Sequence, residues 1–73
     1  MSLNEVLAAL SENDIQIEIT KIITENNESE EVSIIEFEAS GYEALNASLL
    51  AEEVDKIKVN KTSLVPSITI LLK

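Results

Sequence analysis

The sequence lacks most of the side chains that enzymes and metal sites use. It has no cysteine and no histidine, and its five cationic residues are all lysines. Without cysteine there is neither a disulfide nor a thiolate zinc site, and without histidine the usual general base is missing. A single glycine, Gly41, excludes a glycine-rich phosphate loop. We therefore predict a protein that is not an enzyme and that holds no cofactor or metal ion.

Aromatic residues and long apolar runs are also scarce. Phe37 and Tyr42 are the only aromatic residues, and no stretch approaches the ~20 apolar residues that span a bilayer. The first residues lack the positive and long apolar segments of a secretory signal, so the expected location is the cytoplasm. The 73 residues predict one domain, 1–73, with a small aliphatic core. Since such a core often gains stability by dimerisation, a homodimer is one possibility.

Negative charge is what the sequence has in excess, and it is unevenly placed. The formal net charge is −9, and all fourteen acidic residues lie in the first 55 positions, with Lys21 as the only cation there. The last 18 residues hold four lysines and no acid. Such a charge distribution repels nucleic acid and anionic membranes and attracts basic protein surfaces. We expect the partner to be a protein, and neither nucleic acid nor a membrane.

Hydrophobic periodicity predicts two helices and four strands. The apolar residues of the first helix share one face, and Ser2 with Glu5 forms a capping box. From Ile15 onward, isoleucines alternate with polar residues, which is the period of a half-buried strand. The predicted elements are a helix over 3–10, strands over 15–24 and 31–39, a helix from 40 to about 50–53, and strands over 54–60 and 64–72.

This α-β-β-α-β-β order favours an α+β fold, in which a four-stranded, mostly antiparallel sheet carries two short helices. The second strand has an irregular pattern, because Ile35 and Phe37 share one face while Val32 and Ile34 fall on the other. Either a bulge near Ile34 and Ile35 or a second buried face at the start of the strand accounts for this irregularity. The polar residues 25–30 are predicted to form a solvated hairpin loop without the ligand spacing of a calcium site.

Carboxylates of the first hairpin form the candidate partner-binding surface. If the isoleucines of the first strand face the helices, Glu18 lies on the open face of the sheet opposite Glu36 or Glu38. Like charges in such positions destabilise a sheet by ~0.2–1 kcal/mol. The acids of the loop extend the same negative ridge. The candidate contact residues are Glu18, Glu25, Glu28, Glu30, Glu31, Glu36 and Glu38. The alternative is that these acids only keep the surface soluble.

The opening residues, MSLNEVLAALSENDIQIEI, place a short helix and a polar turn before an isoleucine-alternating strand. This pattern resembles the start of small acidic phage and prophage proteins. The whole chain is similar in plan to anti-CRISPR inhibitors, which are short, acidic α+β proteins without cysteine. The resemblance implies a non-catalytic inhibitor that occupies the nucleic-acid groove of a host nuclease effector in the host cytoplasm. An accessory phage protein or a blocker of another defence system fits the same resemblance.

The competing hypothesis is a structural or oligomerisation domain. Its interface is expected to be apolar and to consist of Val32, Ile34 and the edge formed by residues 68–72. Such assembly would be indifferent to salt or strengthened by it, whereas binding through carboxylates weakens as salt rises.

Overall fold

A four-stranded sheet with short helices on one side forms the protein. The computed structural model describes residues 1–13, 15–60 and 66–73. The elements are α1 (Leu3–Leu10), β1 (Gln16–Glu25), β2 (Glu28–Glu38), a 3₁₀ helix (Ala39–Ala44), α2 (Ala47–Leu50), β3 (Val54–Asn60) and β4 (Ser67–Leu72). The predicted α+β class with four strands is confirmed. The predicted strand start at Leu64, and the preceding turn residues 61–63, lie outside the described residues.

The strand order, β2-β1-β4-β3, joins two antiparallel hairpins through a parallel pairing of β1 with β4. The sheet is therefore mixed, although two of its three pairings are antiparallel as predicted. A parallel pairing needs a long crossover connection, which the β2–β3 segment with the 3₁₀ helix and α2 supplies.

This order places β4 in the interior of the sheet, with β2 and β3 at the edges. Ile70, Leu71 and Leu72 are buried within the single chain. The prediction that residues 68–72 form an exposed apolar edge for oligomerisation is therefore wrong. Sequence periodicity identified β4 as a strand but contained no information about its neighbours.

The core lies between α1 and the central strands. Ser2 caps α1, because its Oγ accepts a hydrogen bond from the Glu5 amide at 3.3 Å and the Glu5 carboxylate accepts one from the Ser2 amide at 3.3 Å. The predicted capping box is confirmed. The buried core residues are Leu3, Val6, Leu7, Ile17, Ile19, Ala39, Ile70 and Leu72. Burying each large aliphatic side chain among them stabilises the fold by about 1.5–3 kcal/mol.

The second predicted helix is divided into two shorter pieces. Residues Ala39–Ala44 form a 3₁₀ helix, and Ala47–Leu50 form a single turn of α-helix. The Asn46 side chain starts the new turn by accepting a hydrogen bond from the Ser48 amide at 2.8 Å. An asparagine that caps a helix in this way also interrupts the one before it. No helix among the described residues is long and apolar enough to cross a membrane.

The first hairpin is longer and its loop shorter than predicted. Asn26 and Asn27 have φ values of 52° and 65°, as a two-residue type I′ turn requires, and Glu25 pairs directly with Glu28. Since β4 reaches only as far as Lys21 along β1, the rest of the hairpin has no neighbouring strand on that side within the described part of the chain. We call residues 22–31 the ribbon, because there β1 and β2 continue past β4 as a two-stranded projection.

A bulge in β2 explains its irregular pattern. The pairing passes from Ile19–Ile35 to Thr20–Ser33 and leaves Ile34 without a partner in β1. The extra residue shifts the alternation by one position. Val32, which pairs with Lys21 across the strands, therefore lies on the same face as Ile35. Of the two explanations offered by the sequence, the bulge is the one that the structure contains.

Candidate protein-binding surface

The register of the hairpin divides the seven candidate glutamates between two faces. Side chains alternate along each strand, so the pairing with β1 fixes the face of every β2 residue. Glu18, Glu31, Glu36 and Glu38 lie on the open face, which is the face without helices. The other three, Glu25, Glu28 and Glu30, lie on the helix side of the ribbon. The prediction of one continuous ridge is wrong, because the residues expected in a loop alternate as strand residues.

Glu18 and Glu36 form a like-charged cross-strand pair on the open face, as predicted. The Ser33 hydroxyl donates a hydrogen bond to Glu18 Oε2 at 3.3 Å, which satisfies one carboxylate oxygen without neutralising its charge. Glu38 lies opposite the neutral Gln16. The open face of the hairpin therefore concentrates negative charge around one repulsive pair.

Glu31 has a counterion from the far edge of the sheet. Lys58 of β3 reaches across β4 and β1, and its Nζ lies 3.3 Å from Glu31 Oε2. The Thr20 hydroxyl donates to the other carboxylate oxygen at 3.1 Å. These two hydrogen bonds, with Lys58 first, lower the pKa of Glu31 below its ordinary value. Sequence reasoning missed this pair because the two residues lie 27 positions apart on opposite edges.

The Lys58–Glu31 contact spans a second small buried cluster. Thr20, Thr69 and Leu71 lie on the open face, yet each is less than 10 % exposed. Long charged side chains cover such surface with their aliphatic stems while their charged ends remain in water. The centre of the open face is therefore covered by side chains, and its β2 side is acidic.

Lys21, the only lysine within the hairpin, does not neutralise the candidate glutamates. It lies on the helix side, where its Nζ is 3.4 Å from Glu52 Oε2, in the segment before β3. The remaining six candidates form no ion pair with any other described residue. The hairpin keeps most of its negative charge available to a partner.

A shallow depression of about 510 Å³ occupies the helix side of the ribbon. Ile23 and Val32 contribute apolar surface, and three carboxylates surround them. Apolar surface beside carboxylates suits the aliphatic stem and charged end of a lysine or arginine side chain. The lining residues are Ile23, Glu25, Asn26, Glu28, Ser29, Glu30 and Val32.

Among the described residues, no group of three or more acidic side chains is arranged to hold a metal ion. Comparisons with protein-family models, curated proteins and solved structures found no match to this chain. The assignment of this surface as a binding site therefore depends only on its geometry and charge.

Proposed function

We propose that the protein is a non-catalytic inhibitor of the anti-CRISPR type, whose acidic hairpin occupies a basic nucleic-acid groove on a host protein in the host cytoplasm. The observation that carries this proposal is the ribbon, which projects beyond β4 with carboxylates on both faces. A projecting two-stranded element can enter a groove that a flat sheet face cannot.

The charge density of the hairpin supports mimicry of a single nucleic-acid strand. Residues 16–38 contain seven glutamates, and a strand of ten residues is ~33 Å long. The mean spacing is then one carboxylate per ~5 Å, compared with one phosphate per ~3.4 Å along one strand of DNA and per ~1.7 Å along the duplex. The closer match is to one strand, so the groove of a nuclease that holds a separated strand is the favoured target.

The cross-strand pair of Glu18 with Glu36 supports a binding role over simple solubility. Solubility requires only exposed charge, which loops provide without repulsion between neighbours. A directly opposed acidic pair lowers sheet stability by ~0.2–1 kcal/mol. A partner that places a lysine or arginine between these carboxylates turns that repulsion into attraction on binding.

The test is capture of a target from bacterial lysate by the tagged full-length chain at about 0.1 M and 0.5 M NaCl, where screening lengths differ about twofold. We expect a nucleic-acid-binding protein that is retained at low salt and displaced by single-stranded DNA. The purified target is then assayed for nuclease inhibition, beginning with CRISPR effectors. A captured protein that binds this chain and single-stranded DNA at the same time contradicts mimicry.

Two variants with equal charge change locate the surface. Glu28→Lys with Glu30→Lys, in the ribbon, should abolish capture, whereas the control Glu12→Lys with Glu43→Lys changes two exposed acids outside the hairpin and should retain it. Equal loss in both would assign the effect to net charge and not to the hairpin.

A third variant should strengthen binding. Lys58→Met removes the counterion of Glu31 and keeps an apolar side chain of similar length at this position. We expect several-fold tighter binding to the captured target, since one more carboxylate is then unpaired. Weaker binding by Lys58→Met would place the contact on β3 instead of on the hairpin.

A further inference from the structure

Both edge strands of the sheet are open, and they carry opposite charges. Among the described residues, neither β2 nor β3 has a neighbour on its outer side. β2 contains no lysine, whereas β3 contains Lys56 and Lys58. An open edge exposes a row of backbone donors and acceptors, so its side chains decide which strands are able to pair with it.

The two edges also carry matching sequences on matching faces. In β2, Glu36 and Glu38 face the open side and Phe37 faces the helix side. The β3 residues Lys56 and Lys58 share the open side, and Ile57 between them faces the helix side. The triplet Glu36–Glu38 is therefore the charge complement of the triplet Lys56–Lys58, with an apolar residue at the centre of each.

The directions of the strands are compatible as well. Each edge strand is antiparallel to its inner neighbour, and the two inner strands are parallel to each other. β2 and β3 therefore run in the same direction. A second copy placed beside the first in the same orientation continues the sheet by a parallel pairing, with its helix side aligned to that of the first copy.

We propose that β3 of one copy pairs in parallel with β2 of a second copy, so that Lys56, Ile57 and Lys58 lie beside Glu36, Phe37 and Glu38. The pairing covers apolar surface that the single chain leaves exposed, since Ile57 is 48 % and Val59 is 64 % exposed. Lys58 also contacts Glu31 of its own chain, whereas Lys56 forms no ion pair with another described residue and supplies the charge for the pairing.

Electrostatics selects this pairing over the symmetric ones. Two β2 edges place glutamate against glutamate, and two β3 edges place lysine against lysine, which destabilises either pairing. A head-to-tail contact leaves one edge of each type open at the ends of the assembly, so further copies add until the assembly closes or extends. This self-association does not rest on the proposed target. It uses the same β2 glutamates, but the β3 variant Lys56→Glu changes no candidate target-contact residue and tests the pairing separately.

The experiment is sedimentation equilibrium of the full-length chain from about 10 μM to 1 mM, at ~0.15 M salt to limit repulsion between the acidic chains. The weight-average mass should rise with concentration above the 8.0 kDa of one chain. Lys56→Glu and Glu36→Lys should each lower the association constant roughly tenfold, because each replaces an attraction with a repulsion. The double variant Glu36→Lys with Lys56→Glu should restore association, because the charges are then exchanged.

Lys73→Glu is the control, since it makes the same charge change at an exposed residue outside both edge strands. It should leave the association constant within twofold of the parent. Far-ultraviolet circular dichroism verifies that each variant is folded. A mass that stays at 8.0 kDa throughout the concentration range overturns the proposal. So does a double variant that associates no better than either single variant.

Discussion

The substitution Glu36→Lys is expected to stabilise the protein while removing part of its candidate binding surface. Glu36 pairs directly with Glu18 across the hairpin. The substitution removes a like-charged pair and creates an oppositely charged one, each change contributing ~0.2–1 kcal/mol. Because Glu36 is exposed, the lower part of this range applies, and we expect a gain of about 0.5–1 kcal/mol.

This gain is large enough to measure in a chain of this size. An unfolding entropy of ~2.1 cal/mol/K per residue gives about 150 cal/mol/K for the chain, so the expected increase in Tm is ~3–6 °C. The assay is thermal unfolding followed by circular dichroism at about 5 μM protein, a concentration chosen to keep self-association small, in ~0.05 M salt. At ~1 M salt the screening length is about 3 Å, and most of the gain should disappear.

Glu38→Lys is the matched control for this prediction. Glu38 lies on the same strand and the same face, but its cross-strand neighbour is the neutral Gln16. The Tm of the control should therefore rise only by the amount that a less negative net charge provides. If Glu36→Lys and Glu38→Lys raise Tm equally at low salt, the repulsion between Glu18 and Glu36 does not contribute to stability and the reasoning fails.

Three further outcomes are expected. Leu7→Ala, at a fully buried position of α1, should cost about 2–5 kcal/mol in chemical denaturation, which is much of the stability of a domain this small. Asn27→Gly should raise Tm by a few degrees, because the residue has a φ of 65° and asparagine followed by glycine is a preferred type I′ turn. The pKa of Glu31 is lowered by Lys58 and Thr20, so its contribution to stability is present above about pH 4.5 and is lost as the pH falls through the lowered value. Glu31→Gln should therefore reduce the stability lost between about pH 5 and pH 3, as measured by urea midpoints, and an unchanged pH profile would contradict the role of the Lys58 contact.

Local patterns in the sequence predicted the elements well where neighbouring residues decide the conformation. The apolar spacing of α1 and the Ser2–Glu5 capping box depend on residues three or four positions apart, and both are present. The alternation of Ile15, Ile17 and Ile19 identified the strand, although β1 begins at Gln16. The polar composition of residues 25–30 predicts a longer loop than the two-residue turn, because composition does not reveal the left-handed conformation of Asn26 and Asn27 that lets both strands continue.

The sequence by itself determined the charge, the absence of histidine and cysteine, the α+β class and the acidic first hairpin. Only the tertiary structure decided that β4 lies between β1 and β3, that Lys58 neutralises Glu31, and that the seven glutamates divide between two faces. The physical reason is the range of the interactions. Periodicity and capping act within one element, whereas strand order and register arise from the burial of side chains that are distant in sequence. A shift of one residue in register reverses the face of every side chain, so the location of the acidic surface depends on the packing of the whole sheet.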